Sequence, residues 1–425
     1  MADYPVKWFS NDMGGAPVLG DTSAGDFIAL LKACLITGFN VTPVASATYE
    51  AESGEVLVTL TTGHGFKAWQ VIEVSGADQE SYNGQHRVTS IGSDWVRYVP
   101  SAAPSVSPAT GTTIEIKAAA VGGWEIVGED SNSYRVAIRS TSVKSTDHVL
   151  VITNDGDDQS SYGNYAKMIC AESFVDIDTF DSAITQYWPC SHARFDESVR
   201  YGGAEEKSWL LISDDRLLYF IPVYSITNRR SIMVAGVFNS FRPGDAYNFL
   251  LNGISTGGGS AWHTTNQDCL SDLIAPVDSG MRSRASDLNS DSQSPKYTRI
   301  ARYSSQFPGD VPAGLMLTGL SFARPEYYID PQVKTPNPAD NGLYVNNNNL
   351  PLLEPGGIRG EMPGLLQPIN GSAAYDKQVI DSLPSFSVPV LFWRAAAWRK
   401  NYTPGSYNEG YDCLLAFKLD EWRYT

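Results

Sequence analysis

Few strings in this sequence have residue types and spacing that could do chemistry. Gly253-Ile-Ser-Thr-Gly257 fits GxSxG, the pattern that in hydrolases holds a nucleophilic serine on a tight strand-to-helix turn. It is followed by Gly258-Gly-Ser-Ala-Trp262, which cannot start a stable helix, and His263 is a neighbour in sequence only, so the string reads as a flexible loop. His64 and His86 fall in one stretch of short strands and could meet as metal ligands. Neither has a second His, Cys or carboxylate at ligand spacing, which leaves them turn and strand roles. Asn154-Asp-Gly-Asp-Asp158 has the acidity of a calcium loop but lacks the alternating spacing and distal Glu of an EF-hand; it reads as a solvated turn, with a weak surface calcium site as the alternative.

Paired carboxylates could cleave a glycosidic bond, yet Asp and Glu are spread over the whole chain and nothing marks two of them as a pair. The 22 Tyr and 10 Trp could stack on sugar rings, a use that competes with their commoner one in cores and interfaces. No phosphate-cradling glycine loop precedes a helix. No catalytic, cofactor-binding or metal-ligating residue is therefore assigned, no cofactor is expected, and the chain is not expected to be an enzyme.

Composition limits the partners in the same way. The 425 residues are 42% hydrophobic, enough for two or three packed cores of about 100 to 200 residues each. Charged residues make up 18%, while Gly (37) and Pro (24) are plentiful, a profile that suits strands and turns better than long helices. A net charge of −16 repels phosphate, and no basic stripe offsets it, so nucleic acid is not an expected partner. The longest apolar stretches, such as Phe27 to Ile36, are half a membrane span, and Met1 to Trp8 has no charged and apolar leader pattern; neither membrane insertion nor secretion by a signal is expected. Cys34, Cys170, Cys190, Cys269 and Cys413 are widely spaced and odd in number, and read as free, mostly buried thilos of a chain assembled in a reducing cytoplasm.

The elements that must position any site are mainly β. Residues 1–45 read as an extended arm from Val6 to Leu19 followed by one short helix, with Ser23 and Asp26 spaced as a capping box, Phe27, Leu30, Leu31, Cys34 and Leu35 at helical spacing, and Gly38 as its stop. Residues 46–118 read as a small sandwich or barrel, with strands at 56–60, 71–74, 86–91, 95–99 and 112–117 and a long loop over 100–113. Residues 119–425 read as a larger β-rich body. Its clearest feature is a hairpin, Trp209 to Tyr224, in which two continuous apolar runs flank Ser213-Asp-Asp-Arg216 and imply burial on both faces. Further strands are expected at 124–127, 134–139, 149–153, 233–238 and 413–419, with a tight turn at Pro243-Gly-Asp245. Two stretches, 253–310 and 324–370, read as long irregular loops; the second, with Asn346 to Asn349, is either an excursion or a segment ordered by other subunits.

Several of these strings together resemble a family of structural proteins from the virions of tailed phages of Pseudomonas and related hosts. They are Val6-Lys-Trp-Phe-Ser with Gly15-Ala-Pro-Val-Leu19 and Leu35-Ile-Thr-Gly-Phe39, and in the body Gly123-Trp-Glu125, Tyr134-Arg135, Arg139-Ser140, Trp209 to Tyr219, Phe241 to Tyr247 and Ile358 to Leu365; Thr61 to Phe66 with Tyr82-Asn-Gly84 and Val88 to Ile91 resembles a small β-domain of phage tail and fibre proteins. The resemblance implies a virion location; the leading reading is a structural subunit in or near the tail tip or baseplate, assembled with other tail and baseplate proteins, which predicts a trimeric or hexameric ring of identical subunits. The alternatives are a tail protein that binds a host receptor or surface glycan, a neck or head-decoration protein, and a polysaccharide hydrolase, which would need two carboxylates about 5 to 9.5 Å apart in a cleft.

Overall fold

The computed structural model describes residues 4–19, 24–155, 159–160, 163–181, 184–190, 208–222, 232–252, 282–283, 299–300, 343–354, 357–368, 375–384, 387–398 and 410–423. The chain opens with strand β1 (Lys7–Ser10), helix α1 (Asp26–Lys32) and a π-turn over Ala33–Thr37. A run of strands follows, β2 (Phe39–Glu50), β3 (Glu55–Leu60), β4 (Val71–Ser75), β5 (Gly84–Ile91), β6 (Trp95–Tyr98) and β7 (Glu115–Ala118). The next run is β8 (Trp124–Glu129), β9 (Arg135–Ser140), β10 (Val149–Thr153), β11 (Gln159–Ser160), β12 (Gly163–Ala171), β13 (Phe174–Asp176), β14 (Thr179–Phe180) and β15 (Ile184–Pro189). The hairpin β16 (Trp209–Ser213) and β17 (Leu217–Pro222) precedes β18 (Met233–Val237), β19 (Asn239–Ser240), β20 (Phe249–Leu251), β21 (Arg282–Ser283) and β22 (Arg299–Ile300). The last strands are β23 (Val345–Glu354), β24 (Gly357–Pro368), β25 (Val379–Ile380), β26 (Val390–Trp398) and β27 (Gly410–Lys418). Among the described residues the fold is thus mainly β with one short helix near the start, as composition and periodicity suggested.

Strands β2-β3-β6-β5-β4-β7 close a barrel in which every neighbouring pair is antiparallel. Its inward residues follow the period of two: in β3, Val56, Val58 and Leu60 are buried and alternate with half-buried neighbours. Closure leaves no sheet edge to pair with another chain. The first barrel strand starts at Phe39, ahead of the compositional change at Ser46.

Among the described residues, three larger open sheets and a two-stranded pair, β13-β14, form the rest. One runs β1-β16-β17-β18-β20-β21, so the arm is an edge strand, with Lys7 opposite Ser213 and Ser10 opposite Leu210. The second runs β11-β12-β10-β9-β8 with β15 also on β12, and the third β22-β23-β24-β27-β26-β25 with β19 on β24. Every residue of β16, β17 and β18 is buried, the two-faced burial implied by their continuous apolar runs. Buried side chains from the arm, helix, barrel and sheets join in one contiguous core that includes Phe9, Phe27, Val58, Trp188, Phe220, Leu365 and Trp422.

Two expectations are corrected. Residues 345–368 are not an irregular excursion: β23 and β24 form a long antiparallel pair, interrupted by register shifts between Val345 and Leu353. The Asn run hid the strand because Asn347 and Asn348 are exposed, whereas Asn349 is buried and hydrogen-bonded to Glu361 and Gly364 on the partner strand. The Ser23 and Asp26 capping box is also replaced. Gly25, at φ 85°, takes the N-cap position with no side-chain cap of its own, and the Phe27 N–H is instead satisfied by Asn154 Oδ1 at 3.2 Å. Ser23 itself lies outside the described residues, as do 324–342 and most of 253–310.

Candidate interaction site

The residues singled out for chemistry are tied into the fold. His64 Nδ1 accepts the Phe66 N–H at 2.8 Å, which leaves Nε2 to donate to Gly92 O at 3.0 Å, while the ring stacks on Phe66. His86 Nε2 faces Tyr82 O at 3.0 Å and Asn83 O at 3.2 Å, and its ring stacks on Tyr98 with centroids 4.1 Å apart. Burial lowers the His86 pKa below its ordinary 6.5 against the opposing pull of these carbonyls and that of Val99, so the ring is held neutral. Both histidines hold loops against the barrel. Asn154 is not in a solvated turn: it is buried, caps α1, and places Nδ2 3.4 Å from Cys190 Sγ. The rest of that string, 156–158, and all of Gly253 to Gly257 with His263 lie outside the described residues. Cys34, Cys170 and Cys190 are buried and form no disulfide among the described residues, and burial pushes Cys34 and Cys190 well above the usual thiol range.

The densest polar chemistry among the described residues lies elsewhere, at a seam between two sheets. Asp214, in the β16–β17 turn, accepts the backbone N–H groups of Arg216 and Leu217 and binds Arg423 through both carboxylate oxygens. Arg423 also donates to Val237 O at 2.7 Å and to Asn239 Oδ1 at 3.1 Å. Asn239 Nδ2 reaches Glu361 Oε1 and Trp422 O, Asn349 Nδ2 reaches the same Glu361 oxygen at 2.8 Å, and Asn349 Oδ1 accepts the Gly364 N–H. Tyr219, kept un-ionised by burial and by Asp214, donates its hydroxyl to Pro363 O at 2.8 Å. Trp124 Nε1 donates to Asp214 O at 2.8 Å from the second sheet, and Arg87 of the barrel donates to Leu419 O. The segment Leu419–Arg423 is therefore bonded to the barrel and to two sheets.

Next to this seam a turn is held from the inside. Arg359, buried in β24, pairs with Asp245 (Nη2 to Oδ2, 2.5 Å) and lies over the Phe238 ring. Asp245 Oδ2 also accepts the Ser240 hydroxyl and Oδ1 the Tyr247 N–H. Burial raises the Asp245 pKa, but the bonds from Ser240, Arg359 and Tyr247 outweigh it and hold the carboxyl below its ordinary 3.8. Gly360 has to be glycine, since a Cβ there would overlap Asn239 O and the Phe238 ring. Ser240, Asp245 and Asn248 of this turn bond inward, while Phe241, Arg242 and Tyr247 are exposed. Twelve large hydrophobic side chains of the described residues are exposed, and Phe241 (58%), Tyr247 (44%) and Ile358 (61%) are three of them. The Phe241 N–H bonds Arg359 O at 3.1 Å, which sets the two strings side by side.

Sequence reading gave Asp214 and Asp245 turn roles, in Ser213-Asp-Asp-Arg216 and Pro243-Gly-Asp245, but assigned Arg359, Glu361 and Arg423 none. Those two turns carried a local signal; the other partners are brought together by the fold.

No family model and no curated protein matches this chain. Among solved structures, a phage phi92 endosialidase is similar at 14% identity with a TM-score of 0.17, over 51% of this chain and 36% of that one. No helix among the described residues is long and apolar enough to cross a membrane.

Proposed function

We propose that this chain is a non-enzymatic structural component of a tailed-phage particle, in the tail tip or baseplate, assembled in the host cytoplasm with other tail proteins and with copies of itself. The observation that carries this reading is convergence. Gly123-Trp-Glu125, Trp209 to Tyr219, Phe241 to Tyr247 and Ile358 to Leu365, four of the six strings behind the resemblance in the body of the chain, meet around one buried network: Trp124 on Asp214, Tyr219 on Pro363, and Asp245 on Arg359. Residue patterns that look scattered in sequence thus make one framework, whose outward product is a rigid apolar turn. A framework of this kind suits subunit contact. Receptor binding has less support, because the polar side chains that would read sugar hydroxyls in this turn are engaged inward.

The test is to purify infectious particles that encode this chain, identify their proteins by mass spectrometry, and label them with gold-coupled antibody against the barrel. The expected result is stoichiometric presence with label at the tail end. Absence from the particle, or label on the head or neck, would overturn the proposal.

A further inference from the structure

We propose that the barrel is a hinged module, docked against the body by segments from the two ends of the chain and able to swing away from them as a folded unit. This is a property of the single chain and holds whether or not the chain is found in particles. The barrel has what it needs to stay folded when undocked. Its six strands close on themselves, so its backbone pairing asks nothing of the body. The chain enters and leaves it side by side: Phe39 lies opposite Ala118, the Val121 N–H donates to Cys34 O at 2.9 Å, and the Gly122 N–H donates to Leu35 O at 3.0 Å. Glycines at positive φ stand on both sides of this neck, Gly38 (75°) on the way in and Gly122 (75°) and Gly123 (70°) on the way out, the small residues that suit a hinge.

Away from the neck, the arm and the Leu419–Arg423 segment make the docking contacts, and both are anchored on the β16–β17 hairpin. β1 pairs with β16, and Arg423 bonds Asp214 in the hairpin turn. From the arm, Trp8 Nε1 donates to Trp69 O at 3.3 Å, Asp12 pairs with Lys67 at 3.3 Å, and the Gly14 N–H donates to Gly65 O at 2.9 Å. Those three barrel partners all lie between β3 and β4. The fourth contact is Arg87, which alternates with the buried His86 and Val88 on the outer face of β5. Its guanidinium lies 5.0 Å from the Tyr4 ring centroid and donates to Leu419 O, so the arm and the C-terminal segment meet the barrel at one side chain. Burial disfavours the Arg87 charge, and the nearby Asp420 carboxylate favours it. Single hydrogen bonds and a partly exposed ion pair contribute little each. The barrel interior, by contrast, buries Val56, Val58, Val88, Val96 and Ile116 completely. Phe9, whose ring centroid is 5.7 Å from that of Phe39, packs at the neck itself and moves least in a swing. Undocking is therefore easier than unfolding the barrel, the condition for a sub-global opening.

Hydrogen exchange on the full chain, followed by NMR, tests this. The Gly14 N–H and the Trp8 indole N–H both end on barrel carbonyls, so undocking frees both while the β1 amides stay bonded to β16. The two protons are expected to exchange together, at least about tenfold faster than the amides of β1 and of β3, which is paired on both sides. An Arg87→Ala, Lys67→Ala variant should speed both by about another tenfold and leave the β3 amides unchanged. The wild type at about 1 M salt gives a second reading that needs no substitution: the Asp12–Lys67 pair is screened, and the same two protons should again exchange faster than in dilute buffer. Exchange of Gly14 and Trp8 only at the rate of the β3 amides, in the wild type at either salt, would show arm and barrel opening as one unit and overturn the hinge. Faster exchange of the β1 amides in step with them would overturn it too, because the arm would then be leaving the body and the barrel would not be leaving the arm.

Discussion

Arg423 and Asp214 stand 209 residues apart in the chain, yet Arg423 Nε lies 2.5 Å from Asp214 Oδ2 and Nη2 lies 3.2 Å from Oδ1, with both side chains less than a tenth exposed. Removing one member of a buried pair leaves an uncompensated charge, which costs about 3 to 5 kcal/mol. Arg423→Ala should therefore lower the unfolding free energy by about that much, read as a fall in the urea midpoint at unchanged slope. The Asp214→Leu, Arg423→Met double variant should recover only part of it, because the N–H groups of Arg216 and Leu217 lose their acceptor.

The same seam makes Gly364 sensitive. Its φ is +68° and a Cβ would overlap the Trp422 indole, so Gly364→Ala should cost more than about 1 kcal/mol. Trp422 packs edge-on against Tyr219, and the accompanying change should appear in native-state tryptophan fluorescence. A variant with wild-type stability and spectrum would show that Leu419–Arg423 does not hold the seam as described.

How much of this was legible follows from where each signal lives. The strand Glu55–Leu60 and the hairpin Trp209–Pro222 could be read because their own apolar periodicity states their burial. β23 could not, since its buried polar residue, Asn349, is satisfied by Glu361 and Gly364 of another strand and looks in isolation like one more loop Asn. The helix was recognised but its cap was not, because Asn154, which bonds the Phe27 N–H, lies 127 residues further along. The seam is invisible for the same reason: each of its charges has a partner that only the fold supplies.

That remote cap can be weighed. Asn154→Ala removes the acceptor for the Phe27 N–H, and loss of a side-chain cap costs roughly 1 kcal/mol. Thermal unfolding should move down accordingly, and amide exchange of the first turn of α1 should speed up. Unchanged exchange at Phe27 would show that the Asn154 contact is incidental.

His86 gives the barrel a direction with pH. Its folded pKa is depressed, chiefly by burial, so the unfolded chain takes up a proton first as pH falls past the ordinary value of 6.5. The stability due to the neutral ring is whole above that value and is lost as pH falls toward the folded pKa. Melting temperature should be flat from about pH 8 to 7 and fall below about pH 6.5, with the fall reduced in His86→Phe. A melting temperature that rises on acidification over that window would give the wrong sign for a buried neutral imidazole.

The most direct test of the central claim is a cryo-electron reconstruction of intact particles with this chain built into density. The account predicts a symmetric ring at the tail tip or baseplate, with Phe241, Tyr247 and Ile358 covered by a neighbouring subunit. The chain on the head or neck, or projecting with those side chains bare to solvent, would contradict it.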